Sequence, residues 1–349
     1  MTSNLLLDVF RDSGDRTFVI AEIGVNHNGD LALGRQLIDA AVDCGVDAVK
    51  FQSFRAENLV SRDAPKAEYQ KANDPDGASQ FEMLKKLELD EAGHIAMKEH
   101  CDRRGICFLS TPFDEEAADM LAHMGVAGFK ISSGDLTNLP LLGHIAAKGL
   151  PMIVSTGMAT MDEVREAVEM VAVSGDPPLA LLQCVSNYPA DPATANLRAM
   201  QAMKDTFDVV VGWSDHMMGA TVSIGAVALG ARIIEKHITL DCALPGPDHR
   251  ASTEPGEFKA LVEQIREMES ALGNGEKQPV ASELAVAKVA RRSLVARVAL
   301  AKGTVLRDSD LTMKRPGGGL SGNAAKSLVG KTLNIDIAEG QRLSMGMIE

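Results

Sequence analysis

Residues 231–241, ARIIEKHITLD, begin like a buried strand, with two isoleucines, and then place a glutamate, a lysine and a histidine in a row. Residues 209–219, VVVGWSDHMMG, follow the same pattern, since three valines lead into Ser214, Asp215 and His216. Core strands that end in ionisable side chains are typical of a (β/α)8 barrel, in which the active site lies at the carboxyl ends of the strands. The two stretches therefore predict a barrel with an active site at its mouth.

Six more apolar or β-branched runs precede these two, and helical patterns separate them. The eight predicted strands are Phe18–Gly24, Ala48–Gln52, Ile106–Ser110, Gly128–Ser132, Met152–Thr156, Ala180–Val185, Val209–Trp213 and Ile233–Ile238. Between them, Thr160 and Glu163 have capping-box spacing, and segment 254–273 keeps its apolar residues on one stripe and stops at a glycine. Eight strand–helix units predict an α/β fold of the (β/α)8 TIM-barrel type rather than an open doubly wound sheet. An insertion at 53–80 has a role that the sequence leaves open.

The chain after the barrel has a different character. We expect the barrel at residues 1–272, a polar, alanine-rich linker at 273–290 and a small domain at 291–349, where short strands and glycine turns replace long helices. Within that domain, AKGTVLRDSDL (301–311) and AEGQRLSMGMI (338–348) share Ala, Gly, Leu and a final Leu or Ile at equal offsets. This weak repeat predicts two similar β-turn units in a compact, mostly-β domain.

Composition and charge exclude several classes of protein. The formal net charge of −13 repels nucleic acid and acidic membranes. No apolar run approaches the length of a membrane span, and the first residues lack the basic and apolar regions of a signal peptide. Five cysteines without a CxxC motif fit reduced thiols. We therefore expect a cytoplasmic protein with no nucleic-acid or membrane partner.

Polar side chains at the predicted strand ends form a candidate site. They include Glu22, Lys50, Gln52, Thr111, Lys130, Ser133, Ser155, Ser186, Asn187, Tyr188, Ser214, His216 and His237. Lys50 and Lys130 interrupt apolar strands, where an ammonium group must face a cavity or a counter-charge. One interpretation is a bound anion, and the alternative is a lysine that reaches solvent or pairs with a buried carboxylate.

His216 and His237 lie at the ends of neighbouring predicted strands. Two imidazoles and oxygen ligands suit Mn²⁺, Mg²⁺, Fe²⁺ or Zn²⁺. The alternative is a pair of structural histidines whose hydrogen bonds are satisfied within the fold. The sequence alone does not choose among the metals.

Ten stretches resemble the sialic acid synthase family, the nonulosonic acid synthases that include N-acetylneuraminate synthase. They occur in family order along nearly the whole chain, as AEIGVNHNGD, DAVKFQSF, FLSTPFD, KISSGDLTN, VSTGMAT, VSNYPA, GWSDH, EKHITLD, GPDHRAS and KRPGGG. The resemblance implies a barrel joined to a C-terminal antifreeze-like (SAF) domain of β-clip type. It also implies a homodimer in which that domain is swapped over the other subunit's barrel.

The resemblance also assigns roles to residues. The positions that would hold phosphoenolpyruvate are Lys50, Thr111, Lys130, Ser133, Ser155 and Ser214. His216 and His237 match the ligands of Mn²⁺ or Mg²⁺, and Glu22 matches a carboxylate that handles protons. The sugar contacts would come from Gln52, Tyr188, Asp248, Asn187 or its neighbour Ser186, and Arg315 of the other subunit.

The implied reaction is a transfer that joins phosphoenolpyruvate to an open-chain N-acetylated hexosamine, N-acetylmannosamine or a relative, and releases phosphate. The stretch GPDHRAS (246–252) resembles legionaminic-type members, so the alternative is an N,N'-diacetyllegionaminic acid synthase acting on 2,4-diacetamido-2,4,6-trideoxymannose. Two other classes stay open. One is a Schiff-base aldolase with Lys130 or Lys50 as nucleophile, and the other is an ice- or glycan-binding protein that acts through residues 290–349.

Overall fold

The computed structural model describes residues 3–11, 16–66 and 79–349. Contacts between residues divide the chain into two compact units, Met1–Gly273 and Asn274–Glu349. None of the helices in the described ranges combines the length and apolar character that a membrane crossing requires.

Eight parallel strands form the sheet of the first unit. They are β1 (Phe18–Gly24), β2 (Ala48–Ser53), β3 (Cys107–Pro112), β4 (Phe129–Ile131), β5 (Met152–Ser155), β6 (Leu179–Cys184), β7 (Val210–Asp215) and β8 (Ile233–His237). Their order is β3-β2-β1-β8-β7-β6-β5-β4. The first strand pairs with the last, from Phe18 opposite Ile233 to Glu22 opposite His237, and this pairing distinguishes a barrel from an open sheet. The TIM-barrel prediction is confirmed.

The barrel is nearly closed. Strands β3 and β4, at the two ends of the order, lie side by side, although no hydrogen-bonded ladder joins them within the described chain. The helices of the unit are α1 (Ser3–Val9), α2 (Leu31–Asp43), α3 (Ala56–Leu59), α4 (Gln80–Leu87), α5 (Glu91–Arg104), α6 (Glu115–His123), α7 (Leu139–Ala146), α8 (Met161–Ser174), α9 (Arg198–Phe207), α10 (Thr221–Ala228) and α11 (Pro255–Leu272). Of the predicted insertion 53–80, residues 67–78 lie outside the described residues.

Local sequence signals place the helix ends. The predicted capping box is present, since the Thr160 hydroxyl accepts from the Glu163 N–H while the Glu163 carboxylate accepts from the Thr160 N–H. Asp30 caps α2 by accepting from the Ala32 N–H at 2.7 Å. Helix α11 buries the first part of its predicted apolar stripe, from Phe258 to Ile265, but leaves Leu272 exposed. It ends before Gly273, which has a φ of +61°.

The pleat of the strands divides the barrel interior into an apolar floor and a polar mouth. The floor is a cluster of buried residues that includes Phe18, Ile20, Ala48, Leu109, Ile153, Leu182 and Ile233, and α1 adds Leu6 and Val9. Two positions further along the same strands stand Glu22, Lys50, Thr111, Ser155 and Glu235. Because alternate residues of a strand point to the same side, the residues after the floor point into the mouth.

The second unit is small and has few long elements. It contains α12 (Glu283–Ala290), β9 (Ser293–Ala296), β10 (Leu311–Lys314) and α13 (Ala325–Leu328). The two strands pair antiparallel. Its core consists of Leu294, Ala296, Leu306, Leu311, Leu328, Leu333, Ile337 and Leu343.

The predicted internal repeat corresponds to a repeated local structure. Gly303 and Gly340 occupy equivalent positions and both have positive φ, +84° and +75°, a conformation that glycine adopts without steric cost. Three residues later in each copy stands a buried leucine, Leu306 or Leu343. A short 3₁₀ turn then closes each copy, at 308–310 and 345–347.

Candidate active site

The row of ionisable residues in β8 divides between two sides of the sheet. Glu235 and His237 face the barrel interior, because alternate residues share a face. Lys236 faces the surrounding helices, where its Nζ lies 2.8 Å from Asp215 Oδ2. That same carboxylate oxygen accepts from the Ser223 hydroxyl of α10 at 2.7 Å. The row therefore supplies two side chains to the mouth and one to the wall behind it.

A first buried ion pair joins β1 to β2. Lys50 Nζ lies 2.8 Å from Glu22 Oε2, and both side chains are almost fully buried. The Lys50 ammonium also donates to the Thr111 hydroxyl at 2.9 Å. The Gln52 amide donates to the other Glu22 oxygen at 3.1 Å. Four of the predicted site residues thus form one network.

A second buried ion pair lies across the barrel. Lys130 Nζ is 3.6 Å from Glu235 Oε1 and donates to the Ser155 hydroxyl at 2.6 Å. The Ser214 hydroxyl donates to the same Glu235 oxygen at 3.1 Å. Each lysine therefore pairs with a buried carboxylate at the mouth, as one of the two interpretations of the sequence expected.

The two ion pairs act on each other electrostatically. Burial raises the pKa of Glu22 to about 7, against the opposing effect of Lys50. Burial opposes the charge of Lys50, but Glu22 and Glu235 together raise the pKa of its ammonium. Burial lowers the pKa of the Lys130 ammonium, and Glu235 offsets only part of this effect. The mouth therefore holds two lysines and two glutamates whose pKa values depend on one another.

His216 is held by three neighbours. Its Nδ1 lies 2.8 Å from the Val185 carbonyl, and because a carbonyl only accepts, Nδ1 carries the hydrogen. Its Nε2 lies 3.0 Å from the Tyr188 hydroxyl, and the Cys184 thiol is 3.6 Å from Nδ1. Burial opposes its imidazolium form, but Cys184 and Val185 raise the pKa of the ring. Nε2 is therefore the nitrogen that can face a ligand.

His237 lies beside His216 and differs from it in one respect. The two ring centroids are 5.5 Å apart, and the Tyr188 ring is 5.6 Å from that of His237. His237 Nδ1 is buried and has no hydrogen-bond partner among the described residues. Burial, His216 and the nearby lysines lower the pKa of His237 well below its usual range. The structural alternative accounts for His216, whose nitrogens are both bonded, but leaves a His237 nitrogen without a partner.

The donor set fits a divalent cation with few protein ligands. The imidazole of His237 is neutral at physiological pH and offers a lone pair. Within the described ranges no group of three or more His, Cys, Asp or Glu side chains is arranged to hold a metal ion. Two imidazoles would leave coordination positions for water and substrate oxygens, as in open metal sites. Cation binding at His216 would compete with its proton.

Asp248 belongs to the same electrostatic environment. Burial raises the pKa of its carboxyl to about 6, although His216 and Lys50 act in the opposite direction. It precedes the short 3₁₀ turn 249–251 that follows β8. Asp248 is thus a buried acid within range of the predicted metal and anion groups.

The β4 and β5 ends bring Ser133 to the same mouth. Its hydroxyl accepts from the Gly157 N–H at 2.9 Å. A Cβ on Gly157 would lie 2.8 Å from the Ser133 hydroxyl oxygen and 2.4 Å from that of Ser186. Of the two candidates left open by the sequence, Ser186 therefore lies next to Ser133, whereas Asn187 is exposed. Arg315 is an exposed residue of the second unit.

No role was predicted from the sequence for two residues of the mouth. Glu235 is the counter-charge of Lys130, and Cys184 contacts His216. The signal for Glu235 was present, since it stands two positions before His237 and so on the same face of β8. Cys184 carried no such signal, because a cysteine in a core strand is an ordinary small apolar residue.

Comparison with known proteins gives consistent results. The model of the NeuB family matches residues 37–277, and the SAF domain model matches residues 291–349. The N,N'-diacetyllegionaminic acid synthase of Legionella pneumophila is 47% identical over 343 residues, 97% of this chain and 96% of the relative. The enzyme of the same name from Campylobacter jejuni is 46% identical over 318 residues, 90% of this chain and 95% of the relative.

A solved structure supports the same relationship. It is the N-acetylneuraminic acid (sialic acid) synthetase of Leptospira borgpetersenii, with a TM-score of 0.69 and 37% identity. The match covers 78% of this chain and 90% of that chain.

Proposed function

Because the chain belongs to the NeuB family, we propose that it is a synthase that joins phosphoenolpyruvate to an open-chain N-acetylated amino sugar, with N,N'-diacetyllegionaminic acid as product. Two relatives named for that product are 47% and 46% identical to the chain, against 37% for the Leptospira sialic acid synthetase. This difference favours 2,4-diacetamido-2,4,6-trideoxymannose over N-acetylmannosamine as the acceptor. The alternative raised from the sequence is therefore better supported than the more general assignment.

The observation that carries the proposal is the pair of buried lysines at one mouth. Phosphoenolpyruvate has a phosphate and a carboxylate, and a chain with a net charge of −13 needs local cations to attract it. Lys50 with Thr111, and Lys130 with Ser155, supply an ammonium and a hydroxyl each. Charged donors of this kind make the strong hydrogen bonds that anions require.

Glu22 is the group that we assign to proton transfer. In the reaction, C3 of phosphoenolpyruvate bonds to the aldehyde carbon, water adds at C2, and the C–O bond to phosphate breaks. The water loses both of its protons as its oxygen becomes the C2 carbonyl: one proton goes to the former aldehyde oxygen and the other leaves with the phosphate. With a pKa of about 7, Glu22 is present in both protonation states near neutral pH, which suits a group that accepts and returns a proton.

The proposal includes a divalent cation, Mn²⁺ or Mg²⁺, held by His216 and His237. When bound, it would supply Lewis-acid polarisation of the aldehyde. This assignment is supported by the His237 ring, which is neutral and whose Nδ1 has no hydrogen-bond partner among the described residues. Tyr188 lies edge-on to His237, and its hydroxyl, which bonds His216 Nε2 at 3.0 Å, would give up that bond to the cation.

The remaining contacts of the sugar would come from groups around this centre. Gln52 and Asp248 are the polar groups that we assign to the hydroxyl and amide substituents. Asn187, exposed beside Tyr188, and Arg315 of the second unit are assigned by resemblance.

The test measures phosphate release from phosphoenolpyruvate labelled with ¹⁸O in the bridging oxygen. Purified protein is given 2,4-diacetamido-2,4,6-trideoxymannose, N-acetylmannosamine or no sugar, each with Mn²⁺ or with EDTA. We expect labelled phosphate only when sugar and cation are both present, with the diacetamido sugar giving the higher kcat/KM. Phosphate release without sugar would contradict the proposed reaction. A preference for N-acetylmannosamine would contradict the proposed acceptor.

A further inference from the structure

A further ion pair, separate from the two at the mouth, lies on the outer side of β7 and β8. Lys236 and Asp215 are register neighbours, and their side chains are 3% and 0% exposed. The Lys236 ammonium bonds Asp215 Oδ2 and also donates to the Met217 carbonyl. The mechanism proposed above uses none of these groups.

The Lys236 ammonium joins the backbone around one histidine to the backbone around the other. Asp215 and Met217 stand on either side of His216, and Lys236 immediately precedes His237. Asp215 also accepts from the Met217 N–H at 2.9 Å. The two residues that flank His216 are therefore fixed to each other and to the residue before His237.

This arrangement constrains the inward side chains through the pleat. Residues 215 and 236 face outward, so the next residue of each segment faces the mouth. A slip or rotation of β7 against β8 would change the distance between the two imidazoles, which is 5.5 Å between ring centroids. Such a movement would first have to break the bonds of Lys236.

Stability alone is a weak account of this pair. Removing two charges from water is costly, and well-packed apolar residues of similar volume often stabilise a core equally well. Here every charged group is also hydrogen bonded, since the Ser223 hydroxyl donates to the Asp215 carboxylate. A fully bonded buried pair is well suited to fixing geometry.

We propose that Lys236 is a positioning residue that sets the separation of His216 and His237 and thereby the affinity of the site for a divalent cation. The inference rests on the proposed function, because it assumes that these two rings bind the metal. Lys236 acts through the backbone and contacts neither metal nor substrate.

The main variant is Lys236→Met with Asp215→Asn, which removes both charges together. The asparagine oxygen keeps the bond from the Met217 N–H, and its amide can donate to Ser223. The matched control is Arg266→Met, which removes one partner of the buried Asp47 carboxylate at the other end of the barrel strands. Both variants lose an ion pair made by a buried carboxylate, but only the first pair lies behind the histidines.

The readout is Mn²⁺ binding without substrates, measured by electron paramagnetic resonance, beside the Tm of each variant. We expect the double variant to bind Mn²⁺ about 10- to 100-fold more weakly, the size of effect found for groups that orient metal ligands. The spectrum of bound Mn²⁺ should also change shape. The control should have a lower Tm but the parental Mn²⁺ affinity and the parental spectrum. A folded double variant with the parental Kd and spectrum would overturn the inference.

A second variant covers failure of the double variant to fold. Lys236→Arg keeps a cation beside Asp215, but its larger guanidinium displaces the Met217 carbonyl, so we expect weaker Mn²⁺ binding than in the parent. Parental affinity in this variant would overturn the inference as well. The His237→Ala variant tests the metal site itself. If it leaves the affinity for Mn²⁺ unchanged, the metal assignment of the proposed function fails, and the positioning role of Lys236 fails with it.

Discussion

Glu22 shows how burial changes the acid–base behaviour of a single side chain. It lies between the Lys50 ammonium and the Gln52 amide, and both favour its charged form. Burial nevertheless dominates and raises its pKa to about 7. A carboxyl group with this pKa changes its protonation state near neutral pH, whereas an exposed glutamate is ionised there.

Replacing Glu22 with Gln should lower kcat about 10²- to 10⁴-fold, the usual contribution of a proton-transfer group. In the parent, kcat/KM should rise as the pH increases through about 7, because the carboxylate is the form that accepts the proton. The variant should lack this limb. A pH–rate comparison tests both points, and an unchanged limb in the Glu22→Gln variant would assign the titration to another group.

Replacing His237 with Ala should abolish the response to Mn²⁺ and lower kcat about 10²- to 10³-fold, the effect of losing one electrostatic contact to the transition state. Circular dichroism should show an intact fold, because among the described residues no partner of His237 Nδ1 is lost. The exposed His123 provides the control, His123→Ala. Full activity of His237→Ala would refute its role.

Two other buried histidines should make the protein sensitive to acid. Burial lowers the pKa of His27 and of His249 to about 4, whereas the unfolded value is about 6.5. The unfolded chain therefore binds these protons first, so stability should fall as the pH decreases from about 6.5 to about 4. The loss is on the order of 3 kcal/mol per ring.

Urea unfolding at about pH 7 and about pH 5 checks this dependence. The His249→Gln variant should show a smaller loss between the two conditions than the parent. The His123→Gln control should behave like the parent, because His123 is exposed. Equal losses in all three proteins would locate the acid sensitivity elsewhere.

At the scale of elements, the turn after β5 determines where the hydroxyls of the mouth lie. Gly157 approaches Ser133 and Ser186 so closely that a methyl group has no room. Gly157→Ala should therefore displace Ser133 and raise KM for phosphoenolpyruvate about 10-fold, which corresponds to about 1.4 kcal/mol. Gly134→Ala is the matched control, since its nearest atom lies at 3.6 Å. Equal KM values in the two variants would remove Ser133 from substrate binding.

Strands and helices were the most predictable level of this protein. All eight strands lie within a few residues of their predicted positions, because an alternating or fully apolar run and its flanking turns are local properties of the sequence. The capping box at Thr160 was equally local. The described part of the insertion, in contrast, forms α3 without a strong periodic signal.

At the scale of the whole molecule, the expected homodimer makes a prediction about Arg315. If this residue serves the site of the other subunit, Arg315→Ala and His237→Ala should complement each other. In a mixed dimer, the barrel with His237 intact would receive Arg315 from the other chain, so one site is complete. Remixed subunits should recover about one quarter of the parental activity, given random pairing of a twofold dimer.

Each variant alone measures the background in this experiment, and affinity capture of one tagged variant, with the untagged variant recovered beside it, shows that mixed dimers form. Mixed dimers without recovered activity would indicate that Arg315 acts within its own chain or not at all.

The sequence by itself determined the barrel, the small second domain and the ring of polar strand ends, because periodicity and strand spacing are local properties of the sequence. Family membership followed from the same motifs. Tertiary structure alone decided which charges meet: that Glu235, rather than Lys236, faces Lys130, and that His237 keeps a nitrogen without a partner among the described residues. Ion pairing and the pKa of a buried group depend on distance and burial across strands far apart in sequence, and no local pattern encodes them.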